Sequence, residues 1–104
     1  PSEGSQIPGI RKWPQEYLPK IFDKTKVDTV LEVSEAEAKI MTKRLAKEEG
    51  IFCGYSAGSA MAALVQMKDQ FTKDDVIVVL LHDHGSRYVG KIYNDEWMKE
   101  QGWL

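Results

Sequence analysis

The segment that most restricts the fold of this chain is Gly50-Ile51-Phe52-Cys53-Gly54-Tyr55-Ser56-Ala57-Gly58-Ser59-Ala60-Met61-Ala62-Ala63. It passes from a helix stop, through a short apolar link, into a turn of small residues, and then into a helix with almost no polar side chains. Ala57, Ala60, Met61, Ala62, Ala63, Leu64 and Val65 make that helix apolar nearly all round, so it is expected to be buried. It is predicted to start near Ser56 or Gly58 and to run to about Gln70. A turn of this kind brings backbone N–H groups and one hydroxyl, that of Ser56, to a helix N-terminus, which suits it to hold a ligand group. Nothing bulky stands in the first helical turn, so a planar group has room to approach.

The rest of the chain is read around this segment. Residues 1–25 are punctuated by Pro8, Pro14 and Pro19, with Gly4 and Gly9 between. Ile7, Ile10, Trp13, Tyr17, Leu18, Ile21 and Phe22 are too many large apolar groups for a solvated linker, and a packed loop is expected. Trp13 to Tyr17 is expected to form a short helical turn, with Pro14 at the first helical position. Lys26 to Val33, rich in β-branched residues, reads as a strand. Ser34-Glu35-Ala36-Glu37 is a capping box that opens a helix running to about Glu49. Ala38, Met41 and Leu45 form its buried stripe, widened by Ile40, with Lys39, Lys43, Arg44 and Lys47 largely off it. Gly50 supplies the left-handed stop.

Ile51 to Gly54 reads as a short buried strand or extended link. Val76-Ile77-Val78-Val79-Leu80-Leu81 is the strongest strand signal, and its continuous apolar run predicts a parallel strand covered on both faces. His82 to Tyr88 follow at its carboxyl end, where open α/β sheets bind ligands. The tail from Val89 carries Trp97, Met98 and Trp103 on an expected short helix capped by Asn94 or Asp95. The order β-α-(β)-α-β makes the class α/β. Two or three strands with a fully apolar helix leave one face uncovered. The opening Pro1-Ser2-Glu3-Gly4 also lacks a Met, and both features predict a portion of a longer protein.

With 104 residues the chain suits one small domain. Fourteen basic against sixteen acidic residues give a net charge of −2, which does not point to nucleic acid or to an anionic membrane. The apolar runs are too short to span a bilayer, and no signal-peptide pattern opens the chain. Cys53 is the single cysteine, so no internal disulfide is possible and a reducing cytoplasm is the expected location.

Three chemistries compete. Gly54-Tyr55-Ser56-Ala57-Gly58 fits the G-x-S-x-G elbow of serine hydrolases. Asp83 and His84 follow in the required order but are sequence neighbours, which is awkward for a triad. Asp69, Asp74 or Asp75 with His82 is the other pairing, and no upstream oxyanion loop fits. His82-Asp83-His84 places two imidazoles on one side of an extended segment, yet no third metal ligand has convincing spacing. A hydrogen-bonded turn is therefore the preferred reading of that triplet, with no metal expected.

The third chemistry is cofactor binding. Four blocks resemble, in order and spacing, the pyridoxal-phosphate enzymes of the cysteine synthase and cystathionine β-synthase family. Glu3-Gly4-Ser5-Gln6-Ile7-Pro8-Gly9-Ile10-Arg11-Lys12-Trp13-Pro14 looks like the loop of cysteine synthase B. Leu45 to Ser59 resembles the block R-L-x-x-E-E-G-I-x-x-G-x-S-S/A-G. Val76 to Leu81 with Asp83, Gly85, Arg87 and Tyr88 is similar to I-V-V-x-L-x-D/S-x-G-x-R-Y. Asn94 to Trp103 looks like the tail of cystathionine β-synthase-type members. The resemblance covers essentially the whole chain and corresponds to the C-terminal third of a family enzyme. It implies part of a tryptophan synthase β-like, fold-type-II three-layer α/β sandwich. The parts would be an active-site loop at 1–25, a strand-helix-turn-helix-strand core at 26–88 and a C-terminal tail at 89–104.

By that resemblance Ser56 matches the serine whose hydroxyl meets the pyridine nitrogen of pyridoxal phosphate. A neutral hydroxyl leaves that nitrogen mostly unprotonated and draws less carbanion charge into the ring, which suits β-elimination over transamination. Gly4 matches a backbone position beside cofactor and substrate, and Asp83 falls near the ring. Arg11, Lys12 and Trp13 match the loop near the sulfur donor. On their own residues Arg11 and Lys12 read either as a solvated basic pair or as an anion-binding edge. As part of a site they favour sulfide or thiosulfate.

The implied reaction is O-acetylserine plus sulfide giving cysteine plus acetate through an aminoacrylate, in a homodimer. Serine plus homocysteine is the alternative, and a non-catalytic interaction module is an alternative of another class. No lysine here matches the family's Schiff-base lysine, and the Gly/Thr-rich phosphate loop and the Asn-containing substrate loop are unmatched. These 104 residues alone are therefore expected to be inactive, with the remainder of the catalytic domain as their partner.

Overall fold

The computed structural model describes residues 12–102. Its framework is a pair of packed helices, α1 over Glu35–Glu49 and α2 over Tyr55–Gln66, with a short third helix, α3, over Asp95–Glu100. Helix α1 begins as its sequence dictates. The Ser34 hydroxyl accepts from the Glu37 amide at 3.1 Å, and the Glu37 carboxylate accepts from the Ser34 amide at 2.9 Å. It ends at Gly50, whose φ of 68° lies in the left-handed region that glycine tolerates best. The Ile51 amide then returns to the Leu45 carbonyl at 3.0 Å.

Helix α2 is capped by Gly54 and starts at Tyr55, slightly earlier than expected. It ends at Gln66, and a separate 3-10 turn covers Lys68–Gln70. The two helices cross closely. A Cβ added at Gly58 would meet the Thr42 hydroxyl and the Ala38 carbonyl oxygen. Thr42 is itself buried, and its hydroxyl donates to that same carbonyl at 2.6 Å. The small residues Ala57, Gly58 and Ala62 face this crossing, so much of the small-residue pattern serves helix packing.

Two apolar clusters flank the pair. Ala38, Tyr55, Ile92 and Met98 form one, with Tyr88, Tyr93 and Trp97 against it; Leu45, Cys53 and Ala57 form the other, with Met61 and Leu81. Fully burying a side chain such as Leu45 contributes about 1.5–3 kcal/mol. The first cluster ties the C-terminal segment to α1, aided by a Lys43–Asp95 ion pair at 2.9 Å. Asn94 caps α3 by accepting from the Trp97 amide at 3.2 Å, one of the two caps anticipated.

Several expectations are corrected. Neither Lys26–Val33 nor Val76–Leu81 forms a strand. The only β-pairing among the described residues is an isolated antiparallel bridge between Cys53 and His84. Val76 and Val78 are 92 % and 90 % exposed. A strand exists only through a neighbour, and the described residues bring none beside these runs. The expected β-α-(β)-α-β order thus appears as helices joined by 3-10 turns and irregular segments. A 3-10 turn at Lys24–Lys26, capped by Asp23, occupies the expected start of the first strand.

The described part of the N-terminal loop is not packed, for Ile21 is 94 % exposed and Trp13, Tyr17 and Phe22 are exposed too. Its short turn does form, as a 3-10 helix over Gln15–Tyr17, with Pro14 one position before it. Helix α2 is not buried all round: Val65 is exposed and Ala60, Met61, Ala63 and Leu64 are half-buried.

On α1, Ile40 is exposed while Lys39 is only 4 % exposed and pairs with Glu35 at 3.5 Å. The C-terminal segment covers that side, and the lysine stem lines a cavity of about 470 Å³ with Ile40, Met98 and Gly102. Burial pulls the Lys39 ammonium down, and Glu35 opposes that shift. Among the described residues no helix is long and apolar enough to cross a membrane.

Candidate functional site

The site is built where the Phe52–Ser56 turn meets the segment 82–88. Two backbone hydrogen bonds clamp them, Gly54 amide to Asp83 carbonyl at 3.2 Å and Gly85 amide to Phe52 carbonyl at 3.1 Å. Both glycines are needed for closeness. A Cβ at Gly85 would sit 2.6 Å from the Phe52 ring, and one at Gly54 would meet Asp83 Oδ1 and the Tyr88 ring. Gly54 itself has φ −88° and ψ −178°, an extended conformation open to any residue, so space and not backbone strain selects glycine there.

Aromatic rings close the turn. Phe52 packs tilted on Tyr93 at 4.7 Å and edge-on to His84 at 5.1 Å, while Tyr55 meets Tyr88 edge-on at 5.2 Å. The Tyr93 hydroxyl donates to the Cys53 carbonyl and the Tyr88 hydroxyl donates to Asp83 Oδ2, each at 2.5 Å. Burial, reinforced by the hydrogen bond to Asp83, pushes Tyr88 up to about 12. Burial and then the neighbouring Cys53 thiol push Tyr93 up to about 12 as well. Both phenols therefore stay protonated donors at neutral pH. Burial, then the Asp83 charge, also raises the Cys53 thiol.

Ser56 is the second residue of α2 and is half-buried. The first intrahelical bond runs from the Gly58 amide to the Gly54 carbonyl, so the amides of Tyr55, Ser56 and Ala57 have no acceptor within the helix. The other oxygen of Asp83, Oδ1, is a buried acceptor with no hydrogen-bond partner among the described residues. Among the described residues the donor set at the mouth of α2 is thus neutral, one hydroxyl beside amides without an acceptor, with an unpartnered carboxylate oxygen close to Gly54.

Of the residues singled out from sequence, the fold brings Ser56 and Asp83 to one turn. Lys12 and Trp13 are exposed, and the side chains that pack on the turn come instead from residues 82–98. Gly4 and Arg11 lie outside the described residues. Tyr88 and Tyr93 were not assigned a role from sequence. The aspartate five residues before Tyr88, at the end of an apolar run, was the available signal for that pair.

The Ser56–Asp83–His84 arrangement does not assemble. His84 Nδ1 accepts from the Ser86 amide at 3.2 Å and caps a 3-10 turn at Gly85–Tyr88, and Asp83 Oδ2 is taken by Tyr88. Among the described residues no group of His, Cys, Asp and Glu is placed to hold a metal ion.

The sequence that builds this turn matches a family of cofactor enzymes. Residues 1–83 match the family described as pyridoxal-phosphate dependent enzyme, and the chain belongs to it. The enzymes of that family depend on pyridoxal phosphate.

Among its relatives, cysteine synthase B of Pseudomonas aeruginosa is 51 % identical over 89 residues, covering 86 % of this chain and 29 % of that protein. Cystathionine beta-synthase of Dictyostelium discoideum is 36 % identical over 89 residues, covering 86 % of this chain and 18 % of that protein. Among solved structures, O-ureido-L-serine synthase superposes with a TM-score of 0.76 at 27 % identity, covering 94 % of this chain and 33 % of that one. The chain therefore spans less than a third of the length of the cysteine synthase B it matches.

The residues present fit the cofactor's chemistry. A neutral hydroxyl at a helix N-terminus suits a neutral ring nitrogen, because the positive end of the helix dipole disfavours a cation there.

Proposed function

We propose that this chain is the C-terminal part of the catalytic domain of a cysteine synthase B-type enzyme. That enzyme would convert O-acetylserine and sulfide to cysteine with release of acetate; thiosulfate in place of sulfide would give S-sulfocysteine and acetate. The observation that carries the reading is the 51 % identity to a cysteine synthase B across a segment that includes the Ser56 turn, where Gly54 packs against Asp83. When bound, pyridoxal phosphate supplies the electron sink that loosens the β-substituent of the amino acid. Ser56 orients the ring through its nitrogen and keeps that nitrogen unprotonated. Gly4 supplies a backbone position beside cofactor and substrate. Asp83 contributes an acceptor near the ring. In the loop that carries Arg11, Lys12 and Trp13, the two cations attract the anionic sulfur donor.

The 1–25 segment acts as the substrate loop, 26–88 as the cofactor-facing core and 89–104 as the tail. With the remainder of the domain beside them, the β-branched runs Lys26–Val33 and Val76–Leu81 would form strands of a three-layer α/β sandwich of fold type II. The enzyme is proposed to be a cytoplasmic homodimer. The 104 residues alone are proposed to be inactive and to form no covalent adduct with the cofactor, since no lysine here matches the family's Schiff-base motif.

Cystathionine β-synthase activity is the second reading, favoured by the Asn94–Trp103 tail and by the 36 % identity to such an enzyme. Steady-state kinetics of the enzyme carrying this chain separate the two. A higher kcat/KM with O-acetylserine and sulfide supports the first, and a higher value with serine and homocysteine supports the second.

A further inference from the structure

Three observations meet at Gly54. A side chain there has no room, because an added Cβ would meet both Asp83 Oδ1 and the Tyr88 ring. The Tyr88 hydroxyl donates to the other oxygen of the same carboxylate. The Tyr88 ring also stands edge-on to Tyr55, the almost fully buried first residue of α2. One side chain thus holds a carboxylate against the residue two before Ser56 and touches the residue immediately before it. Asp83 Oδ1, left over from this arrangement, is buried and without a partner among the described residues.

Resting on the reading that Ser56 faces the cofactor ring, we propose that Tyr88 is a positioning residue. Its hydrogen bond to Asp83 and its contact with Tyr55 fix where the first turn of α2 presents Ser56. The hydroxyl is what distinguishes this role from packing. The ring alone fills space beside Tyr55 and Gly54. Only the O–H holds the carboxylate in one rotamer, so that Oδ1 stays against Gly54 and the turn cannot drift toward the 82–88 segment. The raised titration point of Tyr88 keeps that donor in place across the neutral range. Removing the hydroxyl frees the carboxylate to change rotamer while the ring keeps its packing, so the turn loses its fixed position.

The test uses the pyridoxal-phosphate-loaded enzyme carrying this chain, in four forms: unmodified, Tyr88→Phe, Ser56→Ala and the double variant. The readouts are the pyridoxal-phosphate dissociation constant, the visible absorption band of the bound cofactor and the melting temperature of the cofactor-free protein. Tyr88→Phe is expected to weaken the cofactor by about tenfold, the size of one hydrogen bond to a charged group. It should shift the band in the same direction as Ser56→Ala, with the melting temperature nearly unchanged. The double variant should bind no worse than Ser56→Ala alone, because the two act through one contact.

If Ser56→Ala alters binding while Tyr88→Phe leaves affinity and spectrum unchanged, the positioning role is overturned and the reading of Ser56 survives. Additive losses, or a lowered melting temperature with an unchanged spectrum, overturn it likewise and assign Tyr88 to packing. If Ser56→Ala itself changes neither affinity nor spectrum, the reading of Ser56 fails and the proposal falls with it.

Discussion

Gly54 is selected by what lies against it. Its backbone angles suit any residue, but Asp83 and Tyr88 occupy the volume of a β-carbon. Gly54→Ala is therefore expected to destabilise the fold by about 1–3 kcal/mol, as overpacking does. Denaturant unfolding checks this, and a change within about 0.5 kcal/mol, the range of surface substitutions, would contradict it. Cys53 is governed by the same neighbourhood. It is 2 % exposed, and burial and then the Asp83 charge raise its thiol above the ordinary 9.0. Alkylating reagents at neutral pH should accordingly modify it only after unfolding, since the thiolate is the reactive form. Rapid alkylation of the native protein would refute that environment. From sequence Gly54 reads only as the first glycine of a G-x-S-x-G turn. The side chains that enforce it come from a distant part of the chain, and no local pattern carries that information.

At the scale of elements, the helices were legible because their signals are local. Ser34 and Glu37 lie three residues apart and make the cap they spell, and Gly50 stops α1 by its own φ. Ser34→Ala should cost about 1 kcal/mol. The amide of Ser34 first, and its hydroxyl second, hold the Glu37 carboxyl below its ordinary 4.5. A depressed carboxylate contributes stability that is present above about pH 4.5 and is lost as pH falls through its lower folded value. Glu37→Gln should therefore flatten stability against pH on the acid side of 4.5, read by melting at a series of pH values. An unchanged acid slope would refute the assignment. Lys39 was not legible, because its burial comes from a segment packed on α1 from the far end of the chain. The α1–α2 crossing was misread in part for the same reason. Gly58 faces Thr42, and Gly58→Ala is expected to cost about 1–3 kcal/mol by forcing the helices apart.

For the whole molecule, the sheet is what the sequence promised and these residues do not assemble. Val76, Val78 and Leu80 carry every mark of a covered strand and are exposed, since strand pairing is non-local and needs a neighbour in space. If the remainder of the catalytic domain supplies that neighbour, Val78→Asp in the enzyme carrying this chain should destabilise it by more than about 2 kcal/mol, far beyond a surface substitution. A change within about 0.5 kcal/mol would leave the run uncovered and remove the sandwich from the account. The central claim is that the turn opening α2 seats the cofactor through Ser56. A crystal structure of the pyridoxal-phosphate-loaded enzyme measures it directly. Ser56 Oγ is expected within hydrogen-bond distance of the ring nitrogen, about 2.7–3.2 Å. A ring nitrogen bonded to another residue, with Ser56 beyond about 4 Å, would contradict it.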